Sequence, residues 1–259
     1  ALAGIAYSAL AAVGLAGAAG GGVTLAHVRA ALGDRTVLRG AAWTLATSAL
    51  AAWLSLEGAV RLASRLRIGG ATERLLLAPL AVPHAGAAIA TLWLLAPAGM
   101  VARLLHAVGL VATPADMPRL VHDTAGIGLL VAAVWKELPF LLVVALGARR
   151  RDAARLLEGA RTVGAAPAVA RRRVLEPHLR RATLPAAAAA FAFLTGTYEL
   201  PALLGPTAPA PLPLLAYERW TDILLATRAE AHVLALVALV PALGAAVLGA
   251  RAWRRATAA

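Results

Sequence analysis

The residues best suited to chemistry in this sequence are four polar side chains that stand in otherwise apolar surroundings. Lys136 and Glu137 are neighbours in one apolar stretch, and Tyr198 and Glu199 are neighbours in another. Charges in such surroundings are costly unless they pair with other groups or face a polar cavity. We therefore expect these four residues to line a path for a polar solute, or Lys136 and Glu137 to lock neighbouring helices together beside Pro139.

Motifs for catalysis, nucleotide binding and metal binding are missing from the sequence. Lys136 is the only lysine and follows Trp135, so no phosphate-binding loop with glycine before lysine exists. The six histidines form no HExxH pattern, no GxSxG elbow is present, and there is no cysteine. The sequence therefore predicts a chain that is not an enzyme, with no catalytic residue, no metal site and no cofactor of its own.

The composition favours a membrane protein. Hydrophobic residues make up 61% of the 259 residues and charged residues only 15%, whereas a soluble domain has about 45–50% apolar and about 25% charged residues. The net charge is nevertheless +12, almost all of the bases being arginine. This combination argues against a disordered chain, a disulfide scaffold and an ordinary soluble enzyme.

Six apolar segments are long enough to cross a bilayer, since about 20 apolar residues in a helix span about 30 Å. The fourth is the least apolar because it contains Lys136 and Glu137. The first lacks the charged start of a secretory signal, so we expect a genuine span whose natural start has been trimmed. The sequence predicts an all-α, polytopic membrane protein with a single domain over 1–259. Its spans are expected at approximately 1–25, 40–60, 75–98, 123–148, 182–204 and 229–250.

The arginines predict the orientation of these spans. Seventeen of the 25 bases lie on one set of alternate connections, at 61–74, 149–181 and after residue 250, and seven lie on the other set. Because basic connections stay on the cytoplasmic side, both termini and the 149–181 segment are expected there. Bases that flank spans also argue against nucleic acid as a partner.

The 149–181 segment is expected to form a hairpin of two short helices. The first should run over roughly 151–162, and the second should start near Pro167 and end before Pro177. Pro167 suits the first turn of a helix and Pro177 suits its end. Gly164 stands between the two, where a tight turn favours glycine.

The spacing of residues in this hairpin resembles a family motif. Glu158, Ala160, Gly164 and Pro177 stand where the EAA motif has them: Glu-Ala-Ala, three residues, Gly, nine residues, Ile, any residue, Leu-Pro. That motif marks the permease subunits of type I ABC importers, which depend on a solute-binding protein. The resemblance implies a polytopic all-α fold with six spans and a cytoplasmic coupling-helix hairpin between spans 4 and 5.

Departures from the motif are Gly159 for alanine, Val174 for isoleucine and Glu176 for leucine. The segments WKELPF at 135–140 and TGTYELPALLGP at 195–206 also resemble these permeases, most closely those for polyamines, ferric iron and thiamine. Taken together, the resemblance covers roughly residues 40–255.

In this family the hairpin docks in a cleft of a cytoplasmic ATPase, which binds ATP and Mg²⁺ and closes to drive the spans from inward- to outward-facing. The implied partners are an ABC ATPase dimer, a second permease subunit (the same chain or a homologous one), a periplasmic or lipoprotein solute-binding protein, and the lipid bilayer. The implied location is the bacterial cytoplasmic (inner) membrane. The residues carried over for coupling to the ATPase are Glu158, Gly159, Ala160, Arg161, Gly164 and Pro177.

Two other classes of protein fit the composition. One is a stand-alone ion-coupled carrier that uses Lys136 and Glu137, and the other is a membrane scaffold without transport activity. The EAA spacing favours the importer, because neither alternative needs a docking hairpin. No set of residues in the spans specifies the solute.

Overall fold

The computed structural model describes residues 2–17, 21–66 and 70–257, and every regular element in these ranges is helical. The all-α expectation is therefore confirmed for the described residues. Two short 3-10 turns lie at Ala78–Ala81 and Pro114–Asp116, and a π-helical turn lies at Arg171–Leu175. The α-helices are α1 (Leu2–Ala12), α2 (Ala26–Gly33), α3 (Arg35–Arg65), α4 (Gly70–Leu77), α5 (His84–Leu95), α6 (Met100–Ala107), α7 (Ile127–Thr162), α8 (Pro167–Ala170), α9 (Glu176–Gly196), α10 (Glu199–Leu204), α11 (Leu212–Thr221) and α12 (Thr227–Thr257).

Three helical segments of the described residues are long and apolar enough to cross a membrane: His84–Ala107, Ile127–Thr162 and Thr227–Arg251. They overlap the third, fourth and sixth expected spans. The total of six spans stays a prediction.

Two of the expected spans are wrong as continuous helices because glycines end them. The first span was expected to reach about residue 25, but α1 ends at Ala12 and Gly14 turns the chain with a φ of +76°. The fifth was expected over 182–204, but α9 ends at Gly196 and α10 begins afresh at Glu199. Glycine lowers helix stability at both positions, and at Gly14 it also accepts a positive φ, so both ends follow from local chemistry.

The third expected span, 75–98, is also broken. A 3-10 turn over Ala78–Ala81 follows α4, and α5 begins only at His84. Pro79 and Pro83 have no backbone N–H and so cannot continue an α-helix through this stretch. The helix therefore restarts after Pro83.

The chain forms two compact units, each with its own core. The first unit comprises the residues up to 48 together with 84–132 and 193–243, and the second comprises 49–83, 133–192 and the residues from 244 onwards. These units are defined by packing, and the expectation of a single domain stays a prediction.

In the first unit, the core joins α2, α3, α11 and α12 through the buried residues Ala31, Val37, Leu212 and Leu234. Arg219 ties the same helices together, because its guanidinium donates to Asp34 at 2.7 Å and also to Glu230.

Asp34 also caps α3. It accepts a hydrogen bond from the Thr36 backbone N–H at 2.8 Å. That hydrogen bond, with help from Arg219, holds the pKa of the Asp34 carboxyl below its usual range.

The core of the second unit joins α3, α7, the π-helical turn and α9. Its most deeply buried leucines are Leu141, Leu142, Leu175 and Leu179, which are completely or almost completely buried. Small residues such as Ala59, Ala63, Ala145 and Ala148 complete this core. Small side chains three or four residues apart let helix backbones approach closely, as membrane helices commonly do. This core carries the hairpin.

Candidate functional site

The first arm of the hairpin is the end of α7. This helix runs for 36 residues to Thr162. The expectation of a separate short helix over 151–162 is therefore wrong, because no residue between 148 and 162 breaks the helix. Arginine, alanine, leucine and glutamate dominate this stretch, and all four favour helix.

A turn at Gly164 separates the end of α7 from the helical chain that follows. Gly164 has a φ of +77°. Its N–H donates to Arg161 O at 2.9 Å, and the Ala165 N–H donates to Ala160 O at 3.0 Å. This pair of hydrogen bonds is the Schellman arrangement that ends helices on a left-handed glycine.

The second arm begins at Pro167 and does not end before Pro177. The helical chain continues from α8 through the π-helical turn at Arg171–Leu175 and directly into α9. Pro177 is the second residue of α9, so the expectation of a stop there is wrong. A π-turn shifts the hydrogen-bond register of the helix. Placed just before Pro177, it lets the helix pass a residue that cannot donate.

The tip of the hairpin is exposed except for two alanines that point inward. Ala160 is 7% exposed and Ala170 is 1% exposed. Val163 at the turn is 82% exposed. The other residues carried over from the motif at the tip lie on the surface: Glu158, Gly159, Arg161 and Gly164. A small buried face and a polar outer face with one protruding valine leave this tip open to contact.

The two glycines of the tip provide a matched pair of substitutions. No atom lies within 4 Å of a Cβ added to either Gly159 or Gly164. Gly159→Ala lies in α7 and should raise the opening free energy of the hairpin by about 1 kcal/mol. Gly164→Ala should lower it by about 1 kcal/mol, because alanine is strained at positive φ. Hydrogen exchange of hairpin amides measures both, and equal shifts of the same sign would contradict this turn geometry.

Polar contacts hold the two arms against each other and against α3. His178 Nε2 on α9 lies 2.9 Å from Asp152 Oδ2 on α7. Ser64 on α3 donates to Glu176 at 3.0 Å, and Arg65 lies 3.7 Å from the same carboxylate. Glu176, which replaces the leucine of the family motif, therefore has polar partners in this chain.

A bidentate ion pair also anchors the base of the second arm. Arg180 Nε and Nη2 lie 2.6 and 3.0 Å from the two carboxylate oxygens of Glu57 on α3. Glu57 is also 3.5 Å from Arg61, and its side chain is 10% exposed. Paired geometry of this kind is the strongest form of a charged hydrogen bond.

We expect Arg180→Gln to lower the free energy of unfolding by about 1 kcal/mol, because it leaves a mostly buried carboxylate with a single weaker partner. The figure is modest because the Arg180 side chain is 41% exposed. Chemical unfolding in detergent micelles measures the change. Arg181→Gln is the matched control, since Arg181 is exposed. An equal loss in the two variants would show that the ion pair contributes nothing.

Arginines at the start of the hairpin have structural partners that the sequence did not reveal. The Arg149 guanidinium donates to the backbone carbonyls of Ala63 and Leu66, and Arg150 pairs with Glu73 at 2.6 and 2.8 Å. The sequence assigned these bases to membrane orientation alone. Their carbonyl and carboxylate partners lie 77 to 86 residues earlier in the chain, so local pattern gives no sign of them.

Lys136 is buried and bound to the break before α5. It is 5% exposed, and its ammonium donates to Pro79 O at 2.7 Å and Val82 O at 2.5 Å. Pro83 cannot donate to the carbonyl four residues before it, so this stretch offers acceptors that helix formation leaves open. Of the two roles expected for Lys136, lining a solute path or locking neighbouring helices together, this contact favours the lock.

The remaining candidates for a solute path fall in different units. Glu137 is 6% exposed in the second unit, next to Lys136. Tyr198 and Glu199 are exposed in the first unit, and the Tyr198 ring lies 5.0 Å from that of Tyr217. Their role in a solute path stays a prediction. Among the residues that the structure describes, no three acidic or histidine side chains group as a metal site.

Solved structures with the same fold come from bacterial ABC transport. A chain in the crystal structure of a bacterial ABC transporter involved in the import of the acidic polysaccharide alginate matches with a TM-score of 0.67 and 19% identity. The match covers 93% of this chain and 87% of that one. The chain shares the fold of a bacterial ABC transporter.

A second structure gives the same result. It is a bacterial alginate ABC transporter in complex with an alginate pentasaccharide-bound periplasmic protein, with a TM-score of 0.67, 18% identity, and coverage of 94% of this chain and 85% of that one. No protein-family model and no curated protein matches the sequence. At this identity the likeness establishes the fold alone.

Proposed function

We propose that this chain is the membrane-spanning permease subunit of an ATP-driven ABC importer. It forms the solute path and couples through its hairpin to a separate cytoplasmic ATPase. The observation that carries the proposal is the shared fold with bacterial ABC transporter structures over more than nine-tenths of the chain. ATP and Mg²⁺ belong to the partner ATPase in this proposal.

The hairpin tip supports the coupling role. Val163 is 82% exposed at the turn, and a protruding apolar side chain on a polar surface suits insertion into a partner's cleft. Glu158 is exposed on the same tip and offers a negative charge to a basic group of the ATPase. Gly164 has open space around it, so another backbone can approach it closely.

The continuity of the hairpin with the apolar helices supports transmission of movement. Within the second unit, residues 133–162 form one uninterrupted stretch of α7, and α8, the π-helical turn and α9 form another. The ion pair of Arg180 with Glu57 and the hydrogen bond between His178 and Asp152 tie both arms to their neighbours. A displacement of the tip is therefore transmitted along the helices, because no flexible loop separates the tip from them.

The contacts of Lys136 do not favour a stand-alone carrier. Its ammonium is already held by two backbone carbonyls beside a helix break. That geometry is typical of a structural tie, whereas a carrier needs a group that binds and releases its ion in each cycle. We therefore do not retain Lys136 and Glu137 as the basis of a second function.

The proposal implies particular partners and a location. They are an ABC ATPase dimer, a second permease subunit that is the same chain or a homologue, and an external solute-binding protein. One of the solved structures contains a periplasmic protein with bound oligosaccharide, which supports a partner of that kind. The location we propose is the bacterial cytoplasmic membrane, with both termini and the hairpin in the cytoplasm.

The energy source of uptake tests this function. Membrane vesicles that contain the assembled transporter would be assayed with spermidine, ferric iron, thiamine and alginate oligosaccharide as probes. We expect one of these probes to accumulate with ATP even when a protonophore removes the proton gradient. Accumulation that needs the gradient and persists without ATP would contradict the proposal and indicate a secondary carrier.

A further inference from the structure

A slot lies between α9 and α12 in the second unit. Its volume is about 330 Å³. The residues that line it are Pro185, Ala189, Ala246, Gly249, Ala250 and Arg254. All but one are small or apolar, and the exception is an arginine.

The slot follows from the way the two helices meet. A Cβ added to Gly249 would lie 3.3 Å from both Pro185 Cα and Ala188 Cβ, so the helices are in close contact at this glycine. Ala189, Ala246 and Ala250 have only a methyl group each, and they leave space beside the contact instead of filling it. The result is a groove with an apolar wall.

Apolar residues next in sequence to the lining residues are exposed. Leu184 is 42% exposed, Val247 is 50% exposed and Leu248 is 64% exposed. Other residues of the chain bury only 17% of the most apolar 18-residue stretch of α12. The corresponding stretch of α7 is 56% buried. A helix that is apolar and so little covered by its own chain must be covered by lipid or by another protein.

Basic residues follow the slot toward the C-terminus of α12. Arg254 lines the slot itself, and Arg251 is exposed near it on the same helix. Arg181 is exposed on α9 one turn before Pro185. The arginine distribution places these residues at the cytoplasmic face of the membrane, which is the level of phospholipid headgroups.

We propose that this slot binds an anionic phospholipid. One acyl chain lies in the groove beside Gly249, and the phosphate group pairs with Arg254. A negative headgroup complements the local charge, and an acyl chain complements the apolar wall. The proposal rests on the membrane placement of α9 and α12, which the importer function shares, and not on coupling to an ATPase.

Lipid retention by the purified full chain tests this site. The chain in detergent would be mixed with equal amounts of phosphatidylglycerol and phosphatidylcholine of identical acyl chains, and bound lipid counted by native mass spectrometry. We expect wild type to retain phosphatidylglycerol about fivefold over phosphatidylcholine, the preference typical of one basic group near a headgroup. Because no ATPase takes part, a failure of the importer function does not affect the result.

Two variants separate a defined site from general attraction to charge. Arg254→Gln should remove the preference, and Ala250→Leu, which fills the slot at an exposed position, should reduce retention of both lipids. Arg173→Gln removes an exposed base of the hairpin that does not line the slot, and it should leave the preference unchanged. Equal effects of Arg254→Gln and Arg173→Gln would overturn the proposal, as would full retention in Ala250→Leu.

A second copy of the chain is the competing occupant. The chain has no cysteine, so Ala250→Cys introduces a single thiol beside the slot. If lipid fills the slot, oxidation in native membranes leaves this variant uncrosslinked to another copy. Efficient disulfide formation between two copies would overturn the lipid proposal.

Discussion

Replacing Glu158 by arginine is expected to reduce ATP-driven uptake at least tenfold while the chain remains folded and inserted. Glu158 is exposed at the hairpin tip, so the substitution disturbs no core contact. In the proposed complex it faces a basic group of the ATPase, and a reversed charge there replaces attraction by repulsion, which costs an interface several kcal/mol. A loss of about 1.4 kcal/mol already weakens association tenfold. Uptake in vesicles and co-purification of the ATPase measure the effect.

The matched control is Glu218→Arg. Glu218 is also exposed, but it lies on α11 in the first unit, in a segment expected on the outer side of the membrane. The same change of charge at that position should leave ATPase association intact. If Glu158→Arg and Glu218→Arg both kept full uptake, the hairpin tip would not be the coupling surface.

Replacing Lys136 by methionine is expected to lower the free energy of unfolding by about 3 kcal/mol, because two acceptors lose a charged donor inside the protein. The ammonium binds Pro79 O and Val82 O, and the side chain is 5% exposed. Methionine keeps most of the volume of lysine but can donate no hydrogen bond. The chain before α5 should also become less protected in hydrogen exchange.

Arg172→Met controls for the loss of a positive charge as such. Arg172 is exposed in the π-helical turn, so its removal should change the free energy of unfolding much less. Both variants would be unfolded with denaturant in the same detergent. A Lys136→Met protein as stable as Arg172→Met would refute the lock between α7 and the break before α5.

Local sequence chemistry predicted some features of the fold well. The all-helical class follows from apolar stretches whose backbone groups must be paired within the membrane. Gly164 and Pro167 also act locally, since each residue favours its observed backbone geometry by itself. Pro177 misled the prediction because the π-helical turn before it involves several residues that the proline does not reveal.

The partners of the charged residues could not be predicted in the same way. Arg180 pairs with Glu57 across 123 residues of sequence, and Lys136 binds carbonyls more than fifty residues earlier. The carbonyls that lack a partner within a helix depend on where that helix breaks. The carboxylate that lies beside a given arginine depends on how the helices pack. The distribution of the arginines along the sequence indicated only the orientation of the chain in the membrane. In the folded chain, several of these arginines also bind carbonyls or carboxylates of neighbouring helices.

Affinity purification of the tagged chain from its native membrane tests the proposed function most directly. The proposal predicts that an ATPase subunit co-purifies with the wild-type chain and hydrolyses ATP in the isolated complex. It further predicts that the ATPase is lost from Glu158→Arg and kept by Glu218→Arg. A well-folded wild-type chain that retains no ATPase under conditions that preserve membrane complexes would contradict the proposal.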